Sequence, residues 1–209
     1  MTKRTTILRS FIISCLLCGT ATVPAFATAV TLEGSVSEAT VTGNSDTGTP
    51  SGNTLNVTNA TQGIDKATIY GGKTADEQAG SSANNTVTVS NSNIQGTEII
   101  GGSSSGVADS NTVIIESTSK VGSVLGGANN TATNNRVEMY GSSGNISGGF
   151  TDAGDANGNY VLIDTAAGTV GMTHGGNSLG RGDANDNTVE IKSGTVNQAI
   201  GGSGKNTAN

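Results

Sequence analysis

Three sets of residues in this chain are of types that could do chemistry. Arg181-Gly182-Asp183 sets a cation and a carboxylate either side of a glycine, and an RGD loop can bind host integrins. His174 is the only histidine, so a nucleophile–base pair would have to pass through it. Asp155 and Asp183, with asparagines close by, offer the oxygen ligands that calcium takes.

Each set also has a plainer explanation. Gly154-Asp155-Ala156-Asn157-Gly158-Asn159 matches Gly182-Asp183-Ala184-Asn185-Asp186-Asn187, so Gly182 and Asp183 are recurring positions and only Arg181 is extra. His174 fills a slot before a glycine pair where Tyr70, Ile100, Leu125 and Ile200 stand elsewhere. Nothing around it reads as a strained serine elbow. The acids do not keep the nine-residue G-G-x-G-x-D period of calcium-binding β-rolls, and the turn chemistry of Asp and Asn accounts for them. Glycoside hydrolysis needs two carboxylates at a set separation, and the sequence shows no cluster of acidic and aromatic residues to supply them. The expectation is no catalytic residue, no cofactor and no metal site, with Arg181, Gly182 and Asp183 as a candidate adhesion loop.

The elements that must hold these residues are repeats. NTVEIKSGTVNQAIGG, from Asn187 to Gly202, has relatives that open at Asn53, Asn85, Asn111, Asn135 and Asn159. Glycine pairs that begin at Gly71, Gly101, Gly126, Gly148, Gly175 and Gly201 keep the same rhythm. Two independent landmarks with one period make this a repeat and not biased composition. After each asparagine, polar and apolar residues alternate with period two, as in a strand with one buried face. No copy carries an apolar stripe at helical spacing. The fold expected is all-β, a parallel β-helix (β-solenoid) of about six coils over 53–209, in which one coil cannot bury its apolar face until another stacks on it. Val189 and Ile191 should lie over Val161 and Ile163, these over Val137 and Met139, then Val113 and Ile115, then Val87 and Val89. The asparagines should align into an amide ladder.

The N-terminus reads differently. Residues 1–27 form a secretory signal peptide: Lys3, Arg4 and Arg9, then the apolar run Phe11–Gly19, then Ala25-Phe26-Ala27 for cleavage. Both cysteines, Cys15 and Cys18, fall within it, so the mature chain has no thiol. Removing its three cations from ten leaves seven against 16 acids, a net charge of −9. That balance argues against nucleic acid or an anionic membrane surface as partner. Residues 28–52 are less regular and read as an N-terminal cap, with Val30-Thr31-Leu32 and Ala39-Thr40-Val41 as short strands. Few aromatic residues remain in the mature part, too few for a globular core but enough for a narrow one filled by Val, Ile and Thr.

Repeats of the form N-T-V-x-I…G-x-V…GG…G-D-A-x-x-N, over about Asn53 to Asn209 and behind a signal peptide, resemble the passenger regions of Gram-negative autotransporters (type V secretion). The resemblance implies a right-handed parallel β-helix, export to the cell surface, outer membrane or extracellular space, and an adhesive or structural role. It also implies an outer-membrane β-barrel translocator. The alternating ten-residue segments of such a barrel are not found in this sequence, so the translocator is expected from elsewhere. The partner expected is a host or neighbouring-cell surface, protein or glycan. A carbohydrate-active β-helix enzyme, or a remnant with no function of its own, is the alternative.

Overall fold

The alternation after each asparagine decides the geometry. Leu55 and Val57, Val87 and Val89, Val113 and Ile115, Val137 and Met139, and Val161 and Ile163 are all fully buried, while the residues between them are exposed or half-covered, except Leu162, which is buried. The computed structural model describes residues 29–36, 40–43, 50–74 and 80–205. The signal peptide read at residues 1–27 lies outside them, as does Asn209. Among the described residues there are strands and no helix, so none long and apolar enough to cross a membrane.

The strands are β1 (Ala29–Val36), β2 (Thr40–Thr42), β3 (Thr54–Gln62), β4 (Ala67–Lys73), β5 (Ser81–Ala83), β6 (Thr86–Ser90), β7 (Asn93–Ile94) and β8 (Thr97–Asp109). They continue as β9 (Thr112–Ile115), β10 (Lys120–Val121), β11 (Val124–Thr133), β12 (Arg136–Met139), β13 (Ile146–Thr151), β14 (Tyr160–Ser178) and β15 (Thr188–Ser203). They wind into a β-solenoid of about six turns, and every pairing between them is parallel. One arm stacks in the order β1, β3, β6, β9, β12, β14, β15. Its register puts Val87 on Val113, Val113 on Val137, Val137 on Val161 and Val161 on Val189, as the repeats predict. A second arm stacks Ile69, Ile99, Val124, Ile146, Thr173 and Ala199 in one file. The two files face each other across a single narrow core. At about 1.5–3 kcal/mol for each large aliphatic side chain removed from water, these stacks dominate stability.

The asparagine ladder runs beside that core. The Asn85 amide donates to Asn111 Oδ1 at 2.9 Å, Asn111 to Asn135 at 3.0 Å, Asn135 to Asn159 at 3.0 Å and Asn159 to Asn187 at 3.0 Å. The same Oδ1 atoms accept the backbone N–H of the preceding rung, as from Asn111 to Asn135 at 3.0 Å. The second amide hydrogen goes to a carbonyl of the previous coil: Asn111 to Ser82, Asn135 to Ala108, Asn159 to Ala132 and Asn187 to Ala156. These acceptors belong to a third file, Ser82, Ala108, Ala132, Ala156 and Ala184, each at 0% exposure and each three residues before a ladder asparagine. The residue immediately before each asparagine is left-handed: Gly52, Asn84, Ser110, Asn134, Gly158 and Asp186 have φ between 54° and 70°. That corner explains why Gly, Asn and Asp dominate the position.

Two features go beyond the sequence reading. Before Asn85, Asn111 and Asn135 the described residues form a third paired arm, with Ser81–Ala83 on Val107–Asp109 and Val107–Asp109 on Thr131–Thr133. Backbone polar groups that run beside a core need partners, and the stack supplies them. Length differences are absorbed by a bulge between Asn129 and Thr131. The N-terminal region is also more regular than its sequence, because β1 and β2 lie in parallel register on β3 and β4 as a shorter first layer.

Thr173 interrupts the second-arm file. It is fully buried, and its hydroxyl has no hydrogen-bond partner. A buried orphan hydroxyl costs about 1–3 kcal/mol. Thr173→Val keeps the shape and removes that penalty, so it should raise stability by about 1 kcal/mol. Urea denaturation followed by circular dichroism measures it, and a lower midpoint would refute the assignment.

Candidate functional site

Outward positions of the first arm fall one, three and five residues after each asparagine. In the first three coils they are Thr54, Asn56 and Thr58, then Thr86, Thr88 and Ser90, then Thr112, Ile114 and Glu116. In the last three they become Arg136, Glu138 and Tyr140, then Tyr160, Leu162 and Asp164, then Thr188, Glu190 and Lys192. The change begins at Ile114 and Glu116 in the third coil and is fullest in the fourth and fifth. Parallel register then brings Arg136 beside Tyr160, and Glu138, Leu162 and Glu190 into one row.

The side chains bind one another. Arg136 Nε donates to Glu138 Oε1 at 2.6 Å, and the Tyr140 hydroxyl donates to Glu138 Oε2 at 2.8 Å. The Arg136 guanidinium lies 4.4 Å from the Tyr160 ring centroid, a cation–π contact across coils. The Tyr160 hydroxyl donates to Glu190 Oε2, and Lys192 Nζ is 3.6 Å from Glu190 Oε1. In the next positions along, Ser193 donates to Asp164 at 2.8 Å. Leu162 is only 5% exposed although it stands in an outward position, so the face is a packed layer.

The electrostatics follow from these contacts. Partial burial pushes the Glu138 carboxyl up, but hydrogen bonds from Arg136 and Tyr140 and the Arg136 charge outweigh it, and the net shift is downward. The hydrogen bond from Tyr160, helped by Lys192, holds Glu190 below the usual carboxylate range. In return Glu138 raises Tyr140, and Glu190 raises Tyr160. At neutral pH both carboxylates are ionised and both phenols are donors. The network is complete above the ordinary carboxylate pKa and is lost as pH falls through the lowered values.

The same face corrects the sequence reading, which finds no acidic and aromatic cluster. The members are far apart in the chain and meet only because successive coils stack in register. Counting one, three and five residues from each asparagine would have found them.

The residues singled out in the sequence lie elsewhere. Arg181 is exposed, Gly182 is buried and Asp183 is half-buried. The Asp183 N–H donates to the Asp155 carboxylate at 2.9 Å, and the Ala156 N–H donates to the Asp183 carbonyl at 2.8 Å. The tripeptide is thus a rung laid on Gly154-Asp155-Ala156, with Arg181 its exposed member. His174 sits in register between Ser147 and Ile200, and burial pushes its pKa down, which leaves it neutral. Among the described residues no three of His, Asp and Glu converge as metal ligands would. A shallow groove of about 660 Å³ runs along the stack, lined by Gln95, Lys120, Val121, Ser142, Asn145 and Asn197 among others.

Fold and site together define a parallel β-solenoid with one aromatic and charged outer face. No protein-family model matches the chain, and no curated protein or solved structure matches it either.

Proposed function

We propose that the chain is an exported, autotransporter-type passenger segment with a structural and adhesive role, and that it contacts a host or neighbouring-cell surface through the outer face of its last three coils. The observation that carries this is the change of that face from Thr, Asn and Ser in the first two coils, through Thr112, Ile114 and Glu116 in the third, to a cross-linked set that holds Tyr, Arg, Glu and Lys in the last three. Tyrosine and arginine concentrate binding energy at interfaces, and here hydrogen bonds fix them in place before any partner arrives. Export follows from the leader read in the first 27 residues, and the barrel translocator would be a partner.

The carbohydrate-active enzyme is the weaker reading. A glycosidase acid has a raised pKa so that it can give up a proton, whereas Glu138 and Glu190 are both held below theirs.

The test is adhesion of the purified chain to a panel of cells and immobilised glycans. Tyr140→Ala with Tyr160→Ala should lower binding by tenfold or more, and Thr86→Ala with Thr88→Ala should leave it unchanged. Equal binding by both double variants would remove the face from the function. Release of reducing sugar from any polysaccharide in the panel would favour the enzyme.

A further inference from the structure

The groove of about 660 Å³ crosses the turns that join the first arm to the second, and no residue of the tyrosine face lines it. Its walls come from successive coils: Gln95 from the second, Lys120 and Ser123 from the third, Ser142 and Asn145 from the fourth, Thr169 from the fifth. Its floor is backbone. Gly122, Gly144 and Gly171 follow one another along the stack, with the Gly144 N–H on Gly122 O at 2.6 Å and the Gly171 N–H on Gly144 O at 2.7 Å. A Cβ at Gly144 would stand 2.9 Å from Gly122 O, and one at Gly171 2.7 Å from Gly144 O. Stacking therefore keeps this file free of side chains, and the hollow follows from it.

The side chains around the floor are half engaged. Asn145 Oδ1 accepts the Met172 N–H at 3.1 Å, which fixes the amide, while its Nδ2 has no partner among the described residues. Gln95 Nε2 donates to Asn93 Oδ1 at 3.0 Å and leaves Oε1 as an acceptor. Gln95, Lys120, Asn145 and Thr169 are exposed, and Ser142 is half-buried. Among the residues that line the groove none is acidic and only Lys120 is charged. Glycine backbone stands between these polar groups, so the lining mixes carbon with fixed donors and acceptors.

We propose that this groove binds a linear, uncharged glycan laid along the solenoid axis. A sugar is built to match such a lining, with C–H faces and a rim of hydroxyls that both donate and accept. The coils rise about 4.8 Å each, close to the length of one pyranose in an extended chain, so the second to fifth coils span about four sugars with a polar wall group near each. The volume is that of a ligand site. A peptide strand does not fit, because the groove runs across the strands and its floor is already hydrogen-bonded from coil to coil. The acidic balance of the chain disfavours a polyanion. No aromatic ring lines the groove, so affinity rests on hydrogen bonds and grows with the number of coils crossed. The groove shares no residue with the tyrosine face and holds its glycan whether or not that face is adhesive.

The probes are the cello-, chito- and xylo-tetrasaccharides and their disaccharides, titrated into the isotope-labelled full chain and followed by amide NMR shifts. At least one tetrasaccharide should move the amides of Gly122, Ser143, Gly144 and Gly171, leave those of Thr86 and Thr88 in place, and bind several-fold more tightly than its disaccharide. Gln95→Ala with Asn145→Ala removes both oriented amides from exposed positions, and Met172, whose N–H Asn145 accepts, is itself 41% exposed, so water takes over that bond. The unfolding midpoint should therefore hold while tetrasaccharide affinity falls about tenfold or more. Lys120→Ala, a second exposed change, should cost about threefold. The proposal is overturned if no tetrasaccharide binds, if disaccharide and tetrasaccharide bind equally, or if the double variant and Lys120→Ala both bind as the unaltered chain does. Shifts gathered at Tyr140 and Tyr160 would also overturn it and would place the glycan on the tyrosine face.

Discussion

Val113→Asp is expected to unfold more than the coil that carries it. Val113 is fully buried between Val87 and Val137, and it lies beneath the Gly101 corner, where a Cβ would stand 3.2 Å from its Cγ2. A carboxylate there has no cation and no donor within the core file. Burial of an unpaired charge, or of the protonated acid without partners, costs several kcal/mol, and loss of the valine adds to it. About 4 kcal/mol or more is expected, a large share of the stability of a chain this size. Coils two and four lose their packing partner at the same moment, so the loss should spread along the stack. Thr112→Asp is the control. Its side chain sits on the outward, half-covered face, and a change of about 0.5 kcal/mol is expected. Guanidinium denaturation of both variants, followed by circular dichroism, decides the matter. Comparable destabilisation would mean that the inward and outward faces have been exchanged.

The inward face was legible because it is written in residue type. Val, Ile, Leu and Met recur two and four residues after an asparagine, and period two admits one burial pattern. The asparagine ladder was legible for the same reason. The third arm was not. Ser104, Val107 and Thr131 carry no alternation, and their pairing comes from backbone groups that must be satisfied wherever the neighbouring coils lead them. The outer face was hidden in a different way. Arg136, Tyr160 and Glu190 are each unremarkable within their own repeats. Their meeting depends on register between strands 24 to 30 residues apart, and outward positions are free to vary from coil to coil. The RGD tripeptide shows the converse. It stands out as a string, yet stacking on Gly154 buries its central glycine and ties its aspartate to Asp155.

The largest effect outside the aliphatic core should come from Asn135. Its Oδ1 accepts the Asn111 N–H and the Asn111 amide, each at 3.0 Å, and its own amide donates to Ala108 O at 2.9 Å and Asn159 Oδ1 at 3.0 Å. The side chain is fully buried and packs against Gly126 and Gly127, where no Cβ would fit. Asn135→Ala removes four hydrogen bonds and leaves a buried N–H and a buried carbonyl without partners. At about 1–3 kcal/mol for each orphaned group, a loss of about 3–5 kcal/mol is expected. Asn135→Asp separates the two halves of the bonding pattern. It keeps an acceptor for Asn111 but has nothing to give to Ala108 or Asn159 while ionised. Its buried carboxyl faces two acceptor oxygens, which raises its folded pKa above the unfolded value. The aspartate variant should therefore be about as unstable as alanine at neutral pH. It should recover as pH falls through the raised value, where protonation returns a donor. Asn91→Gly provides the comparison. Asn91 donates to Asn59 Oδ1 at 2.7 Å in an exposed ladder pair, and glycine keeps its left-handed backbone. Less than about 1 kcal/mol is expected there, because water replaces the lost bond. If Asn91→Gly and Asn135→Ala cost the same, the ladder contributes no more than local turn preference. The stack would then be held by its aliphatic file alone.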